Sequence, residues 1–94
     1  MTKKPGDAKR LTDLPNVGVV LAERLQRAGI RTPAELKAIG SVPALLRVRA
    51  VMTGDTPCAS MLYALEGAIR GVRWHAIPEA ERTELWRRYR DRVE

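Results

Sequence analysis

Directly after the turn Leu14-Pro-Asn-Val-Gly18 the chain enters a run with helical spacing, so Gly18, Val19 and Val20 fall where a helix begins. The first N–H groups of a helix lack an intrahelical acceptor, and the helix dipole is positive there, which is the chemistry that holds a phosphate. Gly18 is expected to take a positive φ or to admit a close backbone approach, since glycine does either without steric cost. Asn16 stands at the turn's other usual glycine position, and asparagine tolerates left-handed geometry. Arg24, Arg27 and Arg31 are the nearest cations for further phosphates. Contacts of this kind position a protein on nucleic acid without reading bases, and they weaken steeply with salt. Val19 and Val20 add no donor beyond the backbone, however. They fit equally a packing device or, if exposed, an apolar contact for a protein partner or a second copy of the chain.

Other reactive residues are sparse. His75 is the only histidine and Cys58 the only cysteine, so the usual four-ligand zinc site cannot be built. Neither residue sits in a nucleophile motif, and no GxxxxGK phosphate loop is present. The sequence therefore predicts a non-catalytic chain with no metal, cofactor or small-molecule substrate. Trp86 and Tyr89 are either core residues or anchors for a partner. Glu66 is expected to face water, with an i, i+4 pair to Arg70 as the alternative.

The elements that must position these residues are helical. Ninety-four residues fit one domain, 45% of them are apolar, and no alternating Val/Ile/Thr run argues for a sheet. With two Trp, two Tyr and no Phe, the core must rest on aliphatic residues. Residues 1–8 read as a flexible basic tail and 9–94 as the folded domain. Lys9 to Leu14 predicts a short helix that stops before Pro15. Leu21, Ala22, Leu25 and Ala28 mark the next helix, and Gly29 stands at its C-terminal cap. Thr32-Pro-Ala-Glu35 is a capping box, with proline at the first helical position. Gly40 closes that helix, and Ser41 is expected to cap the next, through about Met52. Met61, Leu62, Leu65, Ala68, Ile69 and Val72 form the most regular apolar stripe, which predicts a central helix. A last helix runs from about Pro78 to Arg92, with Glu84 expected to pair with Arg88. The expected fold is all-α, a compact bundle of five or six short helices with a helix-hairpin-helix-like element.

The net charge of +6 attracts polyanions at long range, but the basic residues are spread along the chain, which also describes an ordinary solvated surface. No apolar signal core follows the basic N-terminus, and no run approaches the length of a membrane span. A lone cysteine suits a reducing compartment, so a cytoplasmic protein without membrane contact is expected.

Four pieces taken in order resemble the C-terminal domain of the TfoX/Sxy family. They are Leu14-Pro-Asn-Val-Gly18 with Ala22 and Leu25; Ala28-Gly-Ile-Arg-Thr32 with Ala34-Glu-Leu36 and Ile39-Gly40; Leu62-Tyr-Ala-Leu-Glu-Gly-Ala68; and the spacing Gly71, Trp74, Ile77-Pro78. The resemblance covers roughly residues 10–86. It implies a regulator of competence and DNA-uptake genes, in a copy without the N-terminal domain that precedes this one in longer members. The partners it leaves open are DNA, a protein regulator and a second copy of the chain.

Overall fold

In a computed structural model, residues 9–54 and 56–93 are described. The proposed tail, residues 1–8, lies outside the described residues.

Local sequence chemistry sets most helix boundaries. Helix α1 (Val19–Arg27) buries Ala22 and Leu25. It ends where Gly29 takes φ 86°, with the Gly29 N–H donating to the Gln26 carbonyl at 3.0 Å and the Ile30 N–H to the Leu25 carbonyl at 2.8 Å. That pair of bonds is a Schellman motif, and fully buried Ile30 and Leu25 supply its apolar contact. Helix α2 (Pro33–Ile39) opens with the Thr32 hydroxyl accepting from the Glu35 N–H at 3.1 Å. The Glu35 carboxylate reaches back to the Arg31 N–H at 2.7 Å, one residue earlier than in a standard capping box.

Gly40 alone joins α2 to helix α3 (Ser41–Val51), closing one and capping the other. Ser41 is therefore not the cap expected from the sequence. It is the first helical residue, is buried, and donates its hydroxyl to Glu66 at 2.6 Å. Helix α4 (Ala59–Arg70) is the central helix, packing on α3, α5 and α2 and burying Leu62, Leu65 and Ala68 completely. Helix α5 (Glu79–Val93) closes the bundle through Leu85 and Tyr89. On its outer side Glu84 pairs with Arg87 at 2.6 Å rather than with Arg88, because Arg87 also reaches Asp91 at 2.7 Å and so holds an acid on each side.

No strand occurs among the described residues, and the all-α expectation holds. The radius of gyration, 12.4 Å, is that of a single packed domain, for which about 12 Å is expected at this length. Between Arg10 and α1 the chain makes only a single 3-10 turn, Leu11–Asp13, followed by the Leu14–Gly18 turn.

Candidate binding face around the Asn16 turn

The residue of the turn with left-handed geometry is Asn16, at φ 67°. Its side chain faces inward. The amide nitrogen donates to the Val72 carbonyl at 2.8 Å and, at longer range, to the Ala64 carbonyl at 3.4 Å. The amide oxygen accepts from the Trp74 N–H at 3.2 Å. One side chain thus ties the turn before α1 to the segment that follows α4, and its polar groups are spent inside the fold rather than offered to a phosphate.

This arrangement depends on Gly67. A Cβ at that position would lie 2.5 Å from the Asn16 amide nitrogen and 2.6 Å from the Val72 carbonyl oxygen, closer than atoms can approach. Gly18 does not play the part expected of it. Its φ is −93° with ψ −174°, an extended conformation open to any residue, and nothing lies within 4 Å of where its Cβ would be. Gly18 is the N-cap of α1 and brings no side-chain acceptor to the first amides. The close-approach glycine is Gly67, which the sequence marks only as a glycine inside an apolar helix, an unfavourable placement that packing must justify.

Beyond Gly18, Val19 and Val20 stand 75% and 63% exposed. Val20, Leu21 and Arg24 of α1 face Cys58, Ser60, Met61 and Ala64 across a shallow groove of about 310 Å³, with Trp74 at its edge. Arg24 also lines a second, smaller recess of about 110 Å³ with Arg27, Val51, Met52 and Thr53. The three arginines do not converge. Arg31 follows the end of α1, about 13 Å along the helix from Gly18 at the standard rise. Its own N–H is taken up by Glu35.

The groove's polar edge is Cys58, the exposed N-cap of α4. The Ser60 hydroxyl, 3.0 Å from its sulfur, holds the thiol below its ordinary pKa. Trp74 stacks on His75 at 3.8 Å, and the Arg82 guanidinium lies over Trp74 and Tyr63, 5.6 and 5.8 Å from the ring centroids. Trp74 joins the face only through tertiary packing, and Arg82 lies over it without lining the groove.

The second candidate pair divides. Tyr89 is 4% exposed and belongs to the core, the first of the two places expected of it, which removes it from the candidate partner contacts. Trp86 stacks on it at 5.1 Å and is half-buried, with Thr83, Arg87, Arg90 and Asp91 around its outer side.

Glu66 does not face open water. It is 17% exposed and receives the Ser41 hydroxyl and the Arg70 Nε at 2.7 Å, while Arg70 also meets Glu81 at 2.8 Å. This network ties α3, α4 and α5 together. Among the described residues no group of three His, Cys, Asp or Glu is placed to hold a metal ion, and no helix is long and apolar enough to cross a membrane.

Five helices closed by the Asn16–Gly67 contact define a small all-α domain. The chain belongs to the TfoX C-terminal domain family, whose model matches residues 7–89. It is 36% identical over 77 residues to Protein Sxy of Escherichia coli (strain K12), an alignment that covers 82% of this chain and 36% of that protein. It is 30% identical over 83 residues to DNA transformation protein TfoX1 of Aliivibrio fischeri, covering 88% and 39% respectively. The chain thus spans well under half the length of these relatives. Two crystal forms of a Listeria monocytogenes protein of unknown function share the fold, each with a TM-score of 0.79 and 46% identity. The triclinic form covers 87% of this chain and 91% of its own, and the tetragonal form 89% and 99%.

Proposed function

We propose that this chain is a binding module without catalytic chemistry of its own, acting in the cytoplasm in the control of competence and DNA-uptake genes. The observation that carries the reading is the outward placement of Val19 and Val20 on the first turn of α1, beside the groove shared with α4. An apolar pair on a helix start gains nothing from water, and a groove alongside gives it a surface to continue into a contact. The Aliivibrio relative is a DNA transformation protein, which supports the regulatory setting.

The test replaces Val19 and Val20 together by aspartate and measures transformation frequency in cells carrying the chain, with circular dichroism to confirm the helices. A drop of about tenfold or more is expected for the loss of an apolar contact. Unchanged frequency from a folded variant would remove this face from the function.

Contact with nucleic acid is a second reading, favoured by the absence of a side-chain cap at Gly18 and by the recess that Arg24 and Arg27 share. A random-sequence duplex titrated with the chain at about 50 and about 200 mM salt tests it. Binding that weakens steeply with salt and is lost on changing Arg24 and Arg27 to alanine supports phosphate contact. No binding at either salt leaves protein contact alone.

A further inference from the structure

The large apolar side chains that stand exposed among the described residues are Val19, Val20 and Val72. All three belong to the two segments that Asn16 ties together. The groove beside them has an apolar floor of Val20, Leu21, Met61 and Ala64, and Trp74 at its edge. Its one charged lining residue is Arg24, and no carboxylate lines it. Glu23, the acid of α1, is not among the lining residues. Arg27 stands next to Arg24 in the neighbouring recess, and Arg73 precedes Trp74 as an exposed residue. None of these three arginines is ion-paired with a carboxylate among the described residues.

An apolar strip bordered by unpaired guanidinium groups is complementary to apolar side chains bordered by carboxylates. A two-fold contact between copies would bring the same patch to the groove, with an arginine and no carboxylate, which opposes a second copy as the occupant. A nucleic-acid backbone would find the same cations but leave the apolar lining unused, which opposes it as the occupant. We propose that the α1–α4 groove docks an acidic amphipathic helix of a partner protein. Its apolar face lies on Val20, Leu21, Met61 and Trp74, and its carboxylates meet Arg24. The helix-in-groove mode supplies affinity through the apolar anchors and partner choice through the charges. The inference rests on the binding-face reading above and adds the chemistry of the partner.

Three labelled amphipathic peptides test it, identical in their apolar positions and carrying glutamate, glutamine or lysine on the polar face. Each is titrated with the intact chain by fluorescence anisotropy. The glutamate peptide is expected to bind about tenfold or more tightly than the other two. Arg24→Glu should shift the preference toward the lysine peptide, and Val20→Asp should weaken all three. Cys58 is the only cysteine and lines the groove, so bound glutamate peptide should also slow its alkylation. Absence of glutamate-peptide binding, or a preference unmoved by Arg24→Glu, overturns the proposal. Equal binding of all three peptides that is lost in Val20→Asp overturns the acidic partner and keeps the face. Glutamate-peptide binding that ignores Val20→Asp and leaves Cys58 alkylation unslowed overturns both. Self-association or duplex binding that is lost in Val20→Asp, with no peptide bound, assigns the groove to another occupant and overturns the proposal.

Discussion

Asn16 and Gly67 are packed so closely that a methyl group at Gly67 would sit 2.5 Å from the Asn16 amide nitrogen. A Gly→Ala change inside a helix normally gains about 1 kcal/mol of helix propensity. Here the added carbon also meets the Val72 carbonyl, a backbone atom that cannot rotate away. Gly67→Ala is therefore expected to cost about 1–3 kcal/mol by urea denaturation. Asn16→Gly keeps the left-handed turn, removes the three side-chain hydrogen bonds and vacates part of the space. The double variant should then lose less than the sum of the two single variants, since the residues share one contact. Additive losses would show that the contact does not limit Gly67.

Gly18 is the opposite case. Gly18→Ser should raise stability by a few tenths of a kcal/mol, because serine supplies the N-cap acceptor that glycine lacks. The same hydroxyl would compete for the amides that a phosphate needs, so duplex binding through this helix end should weaken. A clear loss of stability in thermal melts would mean that Gly18 is held in a geometry serine cannot adopt.

Glu66→Ala is expected to cost about 1–3 kcal/mol, because it leaves the buried Ser41 hydroxyl without its acceptor. Ser41→Ala in the Glu66→Ala background should then cost little more, since the bond is already lost. Equal costs for Ser41→Ala in both backgrounds would show that the bond contributes nothing.

Alkaline pH tests the position of Tyr89. Burial pushes its phenol above the ordinary value of 10.0, with Arg49 partly opposing. The folded state therefore favours the neutral phenol. That contribution is complete below the unfolded pKa and is lost as pH rises through the folded one, from about pH 10 upward. The urea midpoint should fall over this range, and the fall should be smaller in Tyr89→Phe. Identical profiles would place the phenol in solvent.

What was legible in the sequence follows from how local each signal is. Thr32-Pro33 and Gly29 mark helix ends through bonds to residues within a few positions, so their chemistry could be read directly. The apolar stripe of α4 was equally plain as far as Ile69, since periodicity needs no partner, but Val72, read as its last member, lies beyond the helix and is exposed. The division of roles between Asn16 and Gly18 was not, because the acceptors and donor that fix Asn16 lie at Ala64, Val72 and Trp74. Ser41 likewise had two uses open to its hydroxyl, and the packing of α3 on α4 settled which one it took. Trp74 was marked only by its place in the Gly71–Pro78 spacing and Arg82 by nothing, and only the fold sets one over the other.

The bonds of Asn16 also bear on the thermodynamics of any encounter at this face. Because one amide fastens the start of α1 to the chain beyond α4, the exposed valines are held on a scaffold already ordered in the free protein. Association there need not first freeze a loop, so little conformational entropy opposes it. Cutting that tie would then act as an entropic penalty on binding even where every contacting side chain remains.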